Sequence, residues 1–92
     1  MVAEDRSEGP AVLNMDVLAA LRSAILEKIP DANVDVQPGS GGGHYTIAVV
    51  SPVFADKNMV ESQRLVYGAI AHLMKGDAAP VHAVDKLTTK TP

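Results

Sequence analysis

The run His44-Tyr45-Thr46-Ile47-Ala48-Val49-Val50-Ser51 constrains this 92-residue chain more than any other segment. Tyr45, Ile47 and Val49 alternate with Thr46, Ala48 and Val50, the period-two pattern of a strand, and β-branched and aromatic side chains fit a pleated surface. Pro38 to Gly43 precede it as a glycine-rich turn. Ser51-Pro52 ends it, because proline cannot donate to a ladder. Upstream, Asn33 to Gln37 also alternates, with Val34 and Val36 on one face. Two strands joined by a short loop make a hairpin. An isolated hairpin is marginal in water, so the rest of the chain must cover one of its faces.

Two segments have the right period to do so. Leu18, Leu21, Ile25 and Ile29 recur at helical spacing, with Val17 and Ala24 beside them. Asn14 is a suitable cap, Asp16 suits the first turn, and Pro30 forces an end, so a helix is predicted over about Met15 to Lys28. A second helix is predicted over about Asn58 to Met74. Its apolar stripe is Met59, Val66, Ile70 and Leu73, widened by Val60, Tyr67 and Met74, with Gly76-Asp77 as the stop and Pro80 beyond. Val81 to Thr88 reads as a third strand. The order is α-β-β-α-β. The segment between the second and third strands is long enough for a right-handed parallel crossover. The expected fold is α+β: a two-layer sandwich with a three-stranded sheet covered by both helices on one face. Residues 1 to 13, polar and broken by Gly9-Pro10, read as a mobile tail, leaving residues 14 to 92 as the domain.

Aromatic residues make up only 3% of the chain, so the core must be aliphatic. There is no cysteine. That excludes a disulfide scaffold, a catalytic thiol and a thiolate metal site built by this chain alone. A chain this short has little material for a deep cleft, which favours a binding or adaptor role over an enzyme. Residues 1 to 10 are polar and acidic, without a signal-peptide pattern, and no apolar run is long enough to span a bilayer. A cytoplasmic protein without membrane contact is therefore expected. Net charge is −3. It divides into −4 over residues 1 to 50 and +1 over residues 51 to 92. The mildly basic second half is the only electrostatic pointer to nucleic acid.

Pro38-Gly39-Ser40-Gly41-Gly42-Gly43 is not a phosphate loop. No lysine follows it, and the next element is a strand rather than a helix whose N-terminus could meet a phosphate. A flexible hairpin loop accounts for it. His72 falls on the exposed side of the second helix. His44 opens the second strand and His82 the third, so a parallel crossover brings both to one end of the sheet. Each is either a structural histidine bonded to backbone or a metal ligand. Two imidazoles do not complete a four-ligand site, so any metal here needs donors from elsewhere. No nucleophile-base pair or carboxylate pair stands out. Asp56 and Glu61 read as acids at a helix start. Lys57, Arg64 and Lys75 read as a solvated face or as phosphate contacts.

Three ordered blocks with matching gaps resemble the BolA-like proteins over about residues 14 to 92. They are His44 to Phe54, then Arg64-Leu65-Val66-Tyr67-Gly68-Ala69, then Val81-His82-Ala83-Val84 with Thr89-Lys90-Thr91-Pro92 behind. The resemblance implies a class II KH-like fold of the same α-β-β-α-β order. It implies a monothiol glutaredoxin as partner and a [2Fe-2S] cluster shared with that partner and glutathione, in iron–sulfur cluster assembly and trafficking and in iron regulation. None would be bound by the isolated chain, which is expected to be a monomer that forms a heterodimer with its partner. His82 matches the family's cluster-binding histidine. A second ligand, Cys or His, usually lies in the loop between the first two strands. Here that loop has neither, so His44 is the candidate. The alternative the resemblance implies is a DNA-binding transcriptional regulator of morphology and stress response, with Lys57, Arg64, Lys86 and Lys90 on phosphate. The sequence departs from the family at Ser62-Gln63-Arg64, where Arg-His-Arg is frequent, and at Asp56, where glycine is common. It also lacks the glycine-containing phosphate clamp of RNA-binding KH domains.

Overall fold

The computed structural model describes the backbone of residues 9–92 and the side chains of residues 17–92. The elements are helix α1 (Gly9–Lys28), strands β1 (Asn33–Pro38) and β2 (His44–Val50), helix α2 (Met59–Ile70) and strand β3 (Ala83–Lys90). Short 3₁₀ helices occupy Pro52–Asp56 and Ala71–Leu73. The α-β-β-α-β order and the α+β class are those expected from the sequence. Of the segment read as a mobile tail, residues 1 to 8 lie outside the described residues. The first helix begins at Gly9 rather than near Met15. Gly9-Pro10 therefore opens the helix instead of breaking the chain before it. Proline is compatible with a first turn, where its missing N–H would have had no helical acceptor.

The sheet order is β1-β2-β3. β1 pairs antiparallel with β2, Val34 opposite Val49 and Val36 opposite Ile47. β2 pairs parallel with β3 from His44 opposite Ala83 to Val50 opposite Lys90. The alternation in β2 is kept in three dimensions: Tyr45, Ile47 and Val49 are buried, and the residues between them are half-buried. They meet Leu21, Ala24 and Ile25 of α1, Val66, Ala69 and Ile70 of α2, and Ile29, Phe54 and Val81 from the connections. Burying a Leu, Ile, Val or Phe side chain stabilises by about 1.5–3 kcal/mol, so this aliphatic cluster drives folding despite the scarcity of aromatic residues.

Asn58 caps α2 through a reciprocal pair. Its side chain accepts from the Glu61 N–H at 2.8 Å, and Glu61 Oε1 accepts from the Asn58 N–H at 3.1 Å. The apolar stripe expected on this helix is rotated in the structure. Met59 is 71% exposed, Val60 57% and Tyr67 37%, whereas Ser62, Val66, Ala69 and Ile70 are buried. The small side chains of Ser62 and Ala69 face the seam, where they allow close interhelical and helix–sheet approach. The helix is also shorter than expected, passing into the 3₁₀ turn at Ala71 before Gly76 reverses the chain at φ +85°. The third strand starts at Ala83 and runs to Lys90, two residues later than expected. His82 thus precedes the strand, and the buried Val81 anchors the approach to it. Ser51 ends β2 as expected and caps the 3₁₀ turn after it. Its Oγ accepts from the Val53 N–H at 3.1 Å and donates to Asp31 Oδ1 at 3.0 Å.

Candidate functional site

The parallel crossover places the starts of β2 and β3 side by side. His44 is the register partner of Ala83, the neighbour of His82. The Gly43 carbonyl accepts from the N–H of His82 at 2.8 Å and from that of Ala83 at 3.2 Å. Gly43 has φ +79°, and a Cβ built on it would overlap Cδ2 of the His82 ring. Only glycine lets the ring lie against the loop there. The His82 side chain is otherwise exposed, and His44 is half-buried at the same sheet end.

The second strong feature of this end is Asp85, which the sequence reading passed over. Tyr45 pairs with Val84 and Thr46 with Lys86, so β3 carries one residue more than β2 at this point, and Asp85 is the one without a partner. A bulge of this kind re-aims a side chain. Asp85 Oδ1 lies 2.8 Å from His44 Nδ1, and Oδ2 accepts from the backbone N–H of Ser40 at 2.7 Å. The hydrogen bonds from His44 and then Ser40 hold the Asp85 carboxyl below its usual range, at about 2. Gly39 passes close by: a Cβ there would stand 2.6 Å from Asp85 Oδ2 and 2.9 Å from the His44 carbonyl carbon. The Gly39 N–H donates to the His44 carbonyl at 2.7 Å, and the His44 N–H donates to the Gly41 carbonyl at 3.0 Å. The loop read as flexible is therefore braced at both ends. Asp85 was not legible as a site residue because its role depends on the β2–β3 register. The one local signal was an acid three residues after His82.

Beside the His44–Asp85 contact is a pocket of about 130 Å³ lined by Leu18, Pro38, Gly41 to Gly43, His44 and Tyr45. Among the described residues, no group of three or more His, Cys, Asp or Glu side chains is placed to hold a metal ion. His44 and His82 are two nitrogen donors, fewer than the four protein ligands of a [2Fe-2S] cluster. With Nδ1 bonded to a carboxylate, His44 has Nε2 left for coordination, the arrangement usual for a metal-binding histidine. The donor chemistry thus fits a cluster whose remaining ligands come from another molecule.

The cations singled out for nucleic acid are divided. Lys57 and Arg64 share a shallow depression with Asp56 and Glu61. Lys57 Nζ stands 4.0 Å from Asp56 Oδ1. Lys57 also lines a second depression with Lys90, and Lys86 lines neither. His72 is exposed, as expected. Among the described residues no helix is long and apolar enough to cross a membrane.

The same fold occurs in known structures. BolA1 from Mus musculus superposes with a TM-score of 0.67 at 28% identity, over 83% of this chain and 65% of that one. A bol-like protein from Babesia bovis gives 0.68 at 26% identity, covering 82% of this chain and 84% of that one. The XC975 protein is 37% identical with a TM-score of 0.55, covering 82% and 88%. The chain thus spans just under two thirds of the mouse protein. No curated protein sequence matches it significantly. The family model described as BolA-like protein matches residues 18–92, which takes in His44, His82 and Asp85. By this match and the shared architecture, the chain belongs to the BolA-like family.

Proposed function

We propose that the chain is a BolA-like adaptor that binds a monothiol glutaredoxin and contributes histidine nitrogen to a [2Fe-2S] cluster shared with it, in iron–sulfur cluster assembly and trafficking. The observation that carries this reading is the placement of His82. Its backbone is tied to Gly43, its ring rests on the loop and faces solvent, and a second imidazole stands at the same end of the sheet. His82 is the ligand in this reading, with His44 as the second nitrogen donor. The partner and its glutathione supply the thiolates this chain lacks. Imidazole in place of thiolate makes a cluster site less negative and raises its potential, which suits handing the cluster on.

This chain's own part is to present and orient donors. The parallel pairing aligns the two strand starts, and the braced loop keeps them aligned. Preset donors reduce the ordering that accompanies docking of a partner.

The test is anaerobic reconstitution of the full chain with a monothiol glutaredoxin and glutathione, read by visible circular dichroism. The expected result is a cluster spectrum that His82→Ala changes or abolishes. A spectrum for His82→Ala identical to that of the parent overturns the ligand assignment. Failure of any cluster to form with the parent overturns the shared-cluster reading.

A further inference from the structure

We propose that Asp85 is a positioning residue for His44. By accepting the Nδ1–H it holds the ring in the tautomer whose Nε2 keeps its lone pair, ready to act as a metal donor. This inference rests on the shared-cluster reading for the use made of Nε2, but the effect on the ring is a property of the free protein.

Three observations converge on it. The first is the bulge. Asp85 has no register partner on β2, and the extra residue turns its carboxylate toward the loop and His44. The second is the use of both carboxylate oxygens. Oδ1 meets His44 Nδ1 and Oδ2 meets the Ser40 N–H, so the carboxylate cannot swing without giving up a backbone bond. The third is the fit of the loop around it. At Gly39 even a methyl group would collide with Oδ2. The loop backbone is thus moulded around one carboxylate and the ring it holds.

Stability alone does not account for this arrangement. The His44 side chain is 38% exposed and that of Asp85 29%, and a pair so open to water adds little to folding. It does decide which nitrogen of the ring carries the proton. Free neutral histidine favours the Nε2–H form. A carboxylate acceptor fixed at Nδ1 reverses that preference and leaves Nε2, on the far side of the ring, as the lone-pair atom.

The experiment is long-range ¹H–¹⁵N correlation of the histidine rings in the free, ¹⁵N-labelled full chain at mildly alkaline pH, on the parent, Asp85→Ala and Asp85→Asn. The parent is expected to show His44 protonated at Nδ1, with a lone-pair resonance at Nε2. Asp85→Ala should lose that pattern and show Nε2–H. Asp85→Asn has one acceptor oxygen for two donors; with that oxygen on the Ser40 N–H, its NH2 faces Nδ1, so this variant should also show Nε2–H and serves if the alanine variant does not fold. A parent already in the Nε2–H form, or a folded alanine or asparagine variant with the parent's pattern, overturns the proposal. The second readout is visible circular dichroism after reconstitution with a monothiol glutaredoxin and glutathione. Asp85→Ala, Asp85→Asn and His44→Ala should alter the spectrum in the same way. If His44→Ala reproduces the parent spectrum, His44 is not a donor and the proposed purpose of Asp85 is wrong. If the parent itself forms no cluster, the shared-cluster reading fails while the tautomer result still decides what Asp85 does to the ring.

Discussion

Gly43 and His82 are joined at the end of the sheet. The Gly43 carbonyl accepts the His82 N–H at 2.8 Å, and the His82 ring occupies the space a side chain on Gly43 would need. A glycine here serves two purposes: it takes φ +79° without strain, and it leaves room for the ring of the proposed ligand.

Gly43→Ala should therefore destabilise the fold by about 1–3 kcal/mol, the cost of holding a non-glycine residue in the left-handed region. It should also move His82. Urea unfolding measures the first effect, and the His82 ring resonances report the second. A variant as stable as the parent, with unshifted His82 signals, contradicts the close packing of these two residues.

Asp85 should show in the pH dependence of stability. Its carboxyl is lowered in the folded state from 3.8 to about 2, chiefly by His44 and then by the Ser40 N–H. A lowered folded value means that the ionised form is preferred in the folded state. Its contribution is thus complete above about pH 4, near the unfolded value, and disappears as pH falls toward 2. The difference in unfolding free energy between the parent and Asp85→Asn should shrink over that interval and stay level above it. Urea titrations at a series of pH values check this. A difference that grows on acidification refutes it.

Ile47 is at the centre of the middle strand and almost wholly buried. Ile47→Ala should cost about 2–5 kcal/mol, the usual range for emptying such a site. A small domain has little margin, so the loss should be plain as a lower urea midpoint with an unchanged slope.

Asn58→Ala removes one half of the capping box at the start of α2. The expected loss is about 1 kcal/mol, seen in the thermal midpoint. Asn58→Asp should restore most of it, since a carboxylate accepts the same N–H and suits the positive end of the helix.

Much of this architecture can be read from local pattern. The alternation in β2, the proline after Ser51, the glycines between the hairpin strands and the helical spacing of Leu21, Ile25 and Ile29 each follow from interactions among near neighbours in the chain. Even the joint placement of His44 and His82 follows from two strand starts linked by a parallel crossover. The rotation of α2 does not. Met59, Val60 and Tyr67 are as apolar as a core face requires, yet they are exposed, because Ser62 and Ala69 fit the seam against the sheet.

The sequence by itself thus determined the α-β-β-α-β order, the aliphatic core and the sheet end to which both histidines belong, since turn chemistry and side-chain period are local properties. Only the tertiary structure decided that β3 carries one residue more than β2 between Tyr45 and Thr46, and with it the reach of Asp85 to His44 and Ser40. Register is a relation between two strands, set by how their side chains pack together, and no stretch of one strand contains it.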